Sequence, residues 1–164
     1  NRGAQASINV ETLCDVLAGK YKSHYDRLIL VDCRYDYEYN GGHICGAINL
    51  QDYEVNEFFF KRYRRVRNLV IFYCEFSSQR GPTCYNSVRA FDRSYNVYPE
   101  LYYPEIYLLQ GGYKRFFTEI NVSNFLVALT LFAFVYVQFC RGSIVSHLNI
   151  FEWMTHNMRI VLRR

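Results

Sequence analysis

One stretch of seven residues, from Cys74 to Arg80, limits what the chain can fold into because of what stands on either side of it. It follows the apolar run 69–73, which has the length and the β-branched and aromatic content of a buried strand. Gly81 and Pro82 come next, and proline is favoured in the first turn of a helix. The sequence therefore predicts a strand, a short loop and a helix in that order.

A cysteine and an arginine separated by five residues in this setting predict a site for a tetrahedral anion. The backbone N–H groups of the loop can turn inward around the anion, and the helix N-terminus adds about half a positive charge. The same field favours the thiolate of Cys74, which is the nucleophilic form of cysteine. Arg80 can hold two oxygens of the anion at once with its planar guanidinium.

Composition narrows the classes of protein that the chain can belong to. Its 164 residues predict one domain, and a hydrophobic content of 51% excludes a disordered chain. The net charge of +4 favours an acidic or phosphorylated partner but is too small to indicate nucleic-acid binding. The six cysteines form no C-x-x-C pair, so we expect no metal site, no cofactor and a reducing compartment with free thiols.

Strand and helix patterns alternate along the chain and predict an open parallel α/β sheet. The predicted strands are 28–31, 47–50, 69–73 and 106–109, and the predicted helices are 8–17, 82–94 and 113–119. The segment 54–67 has mixed helix and loop character, and its basic end is either a solvated surface or an anion-binding face. Ligands of such sheets bind at the carboxyl ends of the strands, which is where Cys74 falls.

Several motifs in the same order carry a resemblance to a known family. The segment 32–44 (DCRYDYEYNGGHI), with GAINL at 46–50, resembles the first hallmark of rhodanese-like domains, and most closely the version in M-phase inducer phosphatases. The segment 74–82 (CEFSSQRGP) resembles the catalytic loop of these dual-specificity cell-division-cycle phosphatases. The resemblance covers about residues 8–119. It implies a rhodanese-like open parallel sheet flanked by helices, as a catalytic domain over residues 1–120.

The resemblance implies a reaction. The family removes phosphate from adjacent phosphothreonine and phosphotyrosine of a cyclin-dependent kinase through a phosphocysteine intermediate, and so promotes entry into mitosis. Cys74 matches the nucleophile, and Arg80 matches the residue that clamps the phosphate as its charge spreads in the transition state. The residues that match the backbone cradle of the family's loop are Glu75, Phe76, Ser77, Ser78 and Gln79.

The resemblance also implies a redox partner and a docking surface. Cys33 matches the family's back-door cysteine, which can form a disulfide with the oxidised nucleophile. Arg89, Arg93 and Tyr98 match a patch, remote from the loop, on which the kinase docks. The expected partner is a phosphorylated cyclin-dependent kinase–cyclin complex, and we expect a monomer of the nucleus and cytoplasm.

The chain departs from the family pattern at the loop. Tyr73 stands where the family has histidine, and its hydroxyl can replace part of that hydrogen bonding but not the charge. Gln79 stands in place of a glutamate that is a candidate proton donor, so Glu75 is the only carboxyl left in the loop, either as a general acid or as a solvated side chain. Thr83 and Asn86 stand where the family often has arginine.

Two alternatives to an active phosphatase remain. One, which the departures at Tyr73 and Gln79 favour, is a catalytically weak pseudophosphatase that binds a kinase. The other is a rhodanese-type sulfurtransferase, although the sulfurtransferase loop has one residue fewer than the loop of this chain.

Other polar residues of the motifs have structural interpretations. We expect His43 to be a hydrogen-bonded histidine of a turn, and Asp32 and Glu38 to satisfy nearby backbone groups and Arg34. Cys84 lies about one turn into the helix after the loop and can in principle reach Cys74, although Cys33 is the preferred partner. Three further cysteines are expected to act as small buried hydrophobic residues: Cys14, Cys45 and Cys140.

An apolar tail, 121–164, follows the region of resemblance. Its segment 125–140 is uncharged and lies near the lower limit of about 17 residues for a membrane helix. A membrane anchor, an unusual core helix and an aberrant end are the three interpretations, and a tail without a native structure is preferred over membrane association.

Overall fold

A computed structural model describes residues 5–62, 66–121 and 162–163. The strands are β1 (Ser7–Ile8), β2 (Arg27–Asp32), β3 (His43–Ile44), β4 (Ile48–Asn49), β5 (Asn68–Tyr73), β6 (Glu105–Leu109) and β7 (Leu162–Arg163). The helices are α1 (Val10–Leu17), α2 (Asp36–Asn40), α3 (Asp52–Arg62), α4 (Arg80–Tyr95) and α5, which begins at residue 112 and is described to residue 121.

Five of the strands form one parallel sheet in the order β1-β6-β5-β2-β4, which confirms the predicted fold class. β5 is the central strand, and every residue of it is buried, as expected for a strand covered by helices on both faces. β3 pairs with β7 in a separate two-stranded antiparallel ladder.

The two faces of β5 look into two hydrophobic cores because successive side chains alternate. Val70 and Phe72 face the core that α3 and α4 cover, which also contains Phe59 and Tyr103. Leu69, Ile71 and Tyr73 face the second core, under α1 and α5. The residues that α1 and α5 bring to the second core include Val10, Leu13, Val16 and Phe116.

The register between β2 and β5 determines which residues lie side by side where the two strands end. Asp32 lies opposite Tyr73, so both strands end at the same level. The N–H of Cys33 donates to the carbonyl of Tyr73 at 2.8 Å, which carries the ladder one residue further. Cys33 and Cys74 therefore leave neighbouring strands side by side, about 4.8 Å apart at the backbone.

The structure adds short elements that the sequence patterns did not predict. Ile8 belongs to β1, and α1 begins only at Val10, where the side chain of Asn9 accepts a hydrogen bond from the N–H of Thr12 at 2.8 Å. Helix α2 was not predicted, since its five residues carry no apolar periodicity and none of them is buried. α3 begins at Asp52 and ends at Arg62, so it replaces the mixed segment predicted over 54–67.

Most of the tail, residues 122–161 and 164, lies outside the described residues, and with it Cys140 and the apolar segment 125–140. Within the described ranges, no helix combines the length and hydropathy that crossing a membrane requires.

Candidate active site at the carboxyl edge of the sheet

The loop 74–79 turns sharply between β5 and α4. Cys74 is 3% exposed, and Ser77 has a φ of 53°, in the left-handed region that closes a tight curve. α4 begins at Arg80, directly after the loop, so its N-terminus points toward the loop. Gly81 lets the helix approach closely, because a Cβ there would lie 3.4 Å from the backbone of Cys74 and 3.1 Å from Leu108.

The first turn of α5 holds the loop from behind. The N–H of Tyr113 donates to the carbonyl of Cys74 at 2.9 Å, and the N–H of Lys114 donates to the carbonyl of Glu75 at 3.0 Å. In a trans peptide the N–H points opposite to the carbonyl. The N–H groups of Glu75 and Phe76 therefore point away from the first turn of α5.

Gly112 is required for this backing. Its φ is +63°, and a Cβ at this position would lie 2.3 Å from the carbonyl oxygen of Cys74 and 2.6 Å from that of Glu75. A side chain cannot occupy that space unless the loop and the helix separate.

Arg80 is oriented by a carboxylate from the other hallmark segment. Its Nη1 forms a short hydrogen bond to Oε2 of Glu38, and its Nη2 donates to Oε1 at 3.1 Å, which is a two-pronged pair. The ring of Tyr35 lies 4.9 Å from the guanidinium carbon. The hydrogen bond from Arg80 holds the pKa of Glu38 below its usual value. The expectation that Glu38 satisfies a nearby backbone group is confirmed, since Glu38 accepts the N–H of Tyr35 at 3.0 Å, but its guanidinium partner is Arg80 and not Arg34.

Arg34 is a buried hub behind the loop. It is 3% exposed, and its guanidinium donates to both carboxylate oxygens of Asp32, to the carbonyl of Gly42 at 2.7 Å and to Glu75 at 3.2 Å. Its fifth contact is the ring of Tyr113, whose centroid lies 3.9 Å away. Burial lowers the pKa of Arg34, but the hydrogen bonds and the charge of Asp32 outweigh it, so the pKa is raised overall.

Asp32 and His43 have the structural roles that the sequence predicts. Asp32 is fully buried and accepts the N–H of Arg34 at 3.0 Å as well as the guanidinium, as predicted. His43 is hydrogen-bonded through Nδ1 to the carbonyl of Tyr39 at 3.0 Å and stacks on the Tyr39 ring, which confirms its structural role.

Tyr73 does not take part in the loop. Its side chain lies in the core under α1 and α5, whereas Cys74 lies in the core under α3 and α4. The Tyr73 hydroxyl accepts the N–H of Ile44 at 3.3 Å. Burial raises the pKa of Tyr73 well above its ordinary value, so the hydroxyl stays protonated. The hydroxyl of Tyr73 therefore forms its hydrogen bond on the face of the sheet opposite to Cys74.

Three thiols meet beside the loop. Cys33, Cys74 and Cys84 belong to the same core cluster, in which Cys84 is a neighbour of Cys33. Burial, with a smaller contribution from Cys84, raises the pKa of Cys33 well above its ordinary value. A cavity of about 290 Å³ lies against this group and is lined by Cys33 and Cys84 together with Gln79 and Arg80.

The remaining predicted site residues lie on α4 and beyond it. Arg89 donates to the carbonyls of Tyr103 at 2.8 Å and Pro104 at 3.1 Å, so it fastens the segment before β6 instead of facing solvent. Arg93 is exposed, and Tyr98 is 90% exposed. Thirteen residues of helix place Arg93 about 20 Å from Arg80. In the described residues, no group of three acidic, histidine or cysteine side chains is placed to hold a metal ion.

A larger cavity, of about 690 Å³, lies on the opposite face of the sheet, against α1. Its lining includes Val16, Tyr25 and Tyr107 and no residue of the loop. The chemistry that the loop offers is therefore separate from this larger cavity.

Comparison with known proteins gives a consistent result. The model of the rhodanese-like domain family matches residues 17–119. M-phase inducer phosphatase 3 of Mus musculus is 48% identical over 120 residues, which are 68% of this chain and 26% of that protein. M-phase inducer phosphatase 1-B of Xenopus laevis is 48% identical over 118 residues, or 68% of this chain and 22% of that protein. The chain thus spans about a quarter of the length of these curated relatives.

Among solved structures, the As-Sb reductase of Leishmania major superposes with a TM-score of 0.57 at 20% identity, over 71% of this chain and 79% of that one. At that level of identity the likeness concerns the fold alone.

Proposed function

This chain belongs to the rhodanese-like domain family, as its hallmark segments predict, and we propose that it is a cysteine-dependent dual-specificity protein phosphatase. The observation that carries the proposal is the loop 74–80 itself. Two of its carbonyls are bonded to the amides of α5, and the loop runs from Cys74 directly into the N-terminus of α4, whose first residue is Arg80. The near-half identity to proteins named M-phase inducer phosphatases supports phosphate as the anion.

The reaction proceeds in two displacements. The thiolate of Cys74 attacks phosphorus and forms an S–P bond, while the P–O bond to the substrate breaks and the released oxygen takes up a proton. Water then attacks the phosphocysteine, and the S–P bond breaks to release inorganic phosphate and the thiolate. The inward N–H groups of the loop and the guanidinium of Arg80 stabilise the charge on the equatorial oxygens in both transition states.

The proton for the leaving oxygen has two candidate sources. Glu75 is the loop carboxyl, its side chain is 27% exposed, and its contact is with Arg34 at 3.2 Å. A substrate phosphate that arrives as the monoanion carries its own proton, and it leaves Glu75 with the role of holding the loop against Arg34. Rate profiles of Glu75→Gln against pH separate the two, because only a general acid removes the alkaline limb when it is replaced.

For the substrate, we propose the adjacent phosphothreonine and phosphotyrosine of a cyclin-dependent kinase in complex with cyclin, in the nucleus and cytoplasm. The names of the relatives support a role in the cell cycle. The half-exposed loop gives little binding energy of its own, so docking away from the loop has to position the phosphate. Arg93 and Tyr98 are exposed and suited to that docking.

The test uses the whole chain. We expect it to hydrolyse an aryl phosphate and a peptide with adjacent phosphothreonine and phosphotyrosine, and Cys74→Ser to abolish both rates. Cys45→Ser is the matched control, since Cys45 is half-buried and lies outside the loop. A thiosulfate–cyanide assay is run in parallel. Transfer of sulfur with no release of phosphate would replace the proposal with the sulfurtransferase alternative.

A kinase-binding module of low activity is the second candidate. Glu38 occupies both prongs of the Arg80 fork, so a substrate phosphate has to compete with a carboxylate for the guanidinium. Tight binding of a phosphorylated kinase by both the wild type and Cys74→Ser, with no turnover of either substrate, would favour this candidate. A large gain of activity in Tyr73→His would point in the same direction.

A further inference from the structure

Cys33 has two other thiols as neighbours. It leaves β2 beside Cys74, which leaves β5, and it shares a core cluster and a cavity wall with Cys84 from α4. All three side chains are buried, with exposures of 2%, 3% and 1% for Cys33, Cys74 and Cys84. A backbone separation of about 4.8 Å between neighbouring strands is within the range that a disulfide spans.

We propose that Cys84 is the resolving thiol of a three-cysteine relay, which removes oxidation from Cys74 and stores it as a disulfide between Cys33 and Cys84. The inference rests on the proposed function, because it takes Cys74 as the reactive thiol. It assigns the resolving role to a residue that the sequence presents only as a less preferred partner of Cys74.

The relay has three steps. A hydroperoxide oxidises the thiolate of Cys74 to a sulfenic acid, and the peroxide is reduced to water or an alcohol. The thiol of Cys33 attacks the sulfenic sulfur, an S–S bond forms between Cys33 and Cys74, and the hydroxyl leaves as water. The thiolate of Cys84 then attacks the sulfur of Cys33 and expels the thiolate of Cys74, which is again able to attack phosphate. The proton from Cys84 passes to solvent.

The geometry favours this order of events. Cys33 lies beside Cys74 where the two strands end and shares a core cluster with Cys84, so its sulfur has a neighbouring thiol on each of two elements. Cys33 and Cys84 also line the cavity beside Arg80, which gives the exchange room and access to water. Burial keeps the Cys33 thiol protonated, so direct attack of peroxide on it is slow and oxidation has to enter through Cys74.

The first experiment maps disulfides in the full chain after brief treatment with hydrogen peroxide and quenching of free thiols. We expect the peptides of Cys33 and Cys84 to be joined, with the loss of two hydrogens, and Cys74 to be recovered as a free thiol. In Cys74→Ser we expect the Cys33–Cys84 disulfide to form at least about tenfold more slowly, because the entry point is gone. A disulfide that forms equally fast in Cys74→Ser would overturn the relay, and so would a wild type that stops at Cys33–Cys74.

The second experiment uses Cys84→Ser, with Cys84→Ala as a second variant in case the hydroxyl is poorly accommodated in the core. Each rate of aryl phosphate hydrolysis is normalised to the same variant before oxidation. We expect the wild type and the control Cys14→Ser to retain most activity after peroxide, and both Cys84 variants to stall as the Cys33–Cys74 disulfide until a reductant is added. Equal losses in all four proteins would contradict the relay.

Disulfide mapping does not depend on turnover. A chain that joins Cys33 to Cys84 through Cys74 but hydrolyses no phosphate would refute only the proposed function. A chain that hydrolyses phosphate and never forms this disulfide would refute only the relay.

Discussion

The carboxylate of Glu38 and the guanidinium of Arg80 are joined by two parallel hydrogen bonds, although the residues are 42 positions apart in the chain. Their side chains are 19% and 32% exposed, so the pair is partly shielded from water. The contact fixes the plane of the guanidinium beside the loop before any substrate arrives. It also supplies a negative charge next to the position that a phosphate would occupy.

We expect Glu38→Gln to lower kcat for an aryl phosphate by about tenfold with a smaller change in KM, because the amide leaves one prong of Arg80 without its acceptor and the guanidinium loses its fixed plane. Steady-state kinetics on the full chain measures this. Asp36→Asn is the control, since Asp36 is an exposed carboxylate of the same helix. An increase in kcat would mean that Glu38 competes with phosphate more than it orients Arg80.

The same pair predicts how stability depends on pH. Arg80 lowers the pKa of Glu38 in the folded protein relative to about 4.5 in the unfolded chain. A lowered pKa stabilises the fold above the unfolded value, and this stabilisation disappears as the pH falls through the folded pKa. We expect the wild type to exceed Glu38→Gln in free energy of unfolding by about 1 kcal/mol at neutral pH. Urea titrations at a series of pH values should show the difference shrink below about pH 4.5.

A difference between wild type and variant that stays constant down to about pH 3 would contradict this assignment, because the carboxylate would then contribute nothing that titrates.

Gly112→Ala tests the backing of the loop. The new Cβ would lie 2.3 Å from the Cys74 carbonyl oxygen, so α5 and the loop have to separate and two hydrogen bonds are lost. We expect a loss of about 3 kcal/mol or more in the free energy of unfolding, together with loss of phosphatase activity. Gly19→Ala is the matched control, because Gly19 also has a positive φ, +83°, but nothing lies within 4 Å of its Cβ position.

For Gly19→Ala we expect about 1 kcal/mol from backbone strain alone, with activity retained in the folded fraction. Equal effects of the two substitutions, measured by urea unfolding and by turnover, would show that the close approach of α5 to the loop is not needed.

Substitution of Arg89 should affect the stability of the fold, and substitution of Arg93 should affect docking of the substrate. Arg89→Ala removes two hydrogen bonds to the carbonyls of Tyr103 and Pro104, and we expect it to lower the free energy of unfolding by about 2 kcal/mol. Arg93 is exposed, so Arg93→Ala should leave stability and aryl phosphate hydrolysis unchanged. It should lower kcat/KM on a phosphorylated kinase complex by about tenfold if this surface docks the substrate. Equal rates of the Arg93 variant and the wild type on the kinase would remove Arg93 from the proposed docking surface.

The sequence predicts the central part of the fold because that part is encoded locally. The uninterrupted apolar run 69–73, the loop after it and Pro82 are consecutive in the chain, and the strand, turn and helix follow from them. The hallmark segments add the sheet around this unit. β1 and α2 are not predicted, because two and five residues are too few to show a repeat of apolar positions.

The site is less predictable, since its decisive contacts join distant segments. Glu38 has an acidic side chain in the first turn of a short helix, and nothing in its neighbourhood indicates Arg80 as the partner. The backing of the loop depends on Gly112, whose need for a positive φ is visible only once α5 is seen against Cys74. The side on which Tyr73 lies is predictable from the sequence, because consecutive residues of a strand point to opposite faces and Tyr73 precedes Cys74.

The pairing of Asp32 with Tyr73 has a consequence for how the chain can vary. Sliding β2 by a single position would exchange the faces of its side chains, turn the thiol of Cys33 into the core under α1 and aim the guanidinium of Arg34 at the α3 side. Insertion or deletion of one residue in this strand would thus move Cys33 and Arg34 away from the site even in a protein that still folds. The length of β2 is therefore constrained by the arrangement of the site as well as by the sheet.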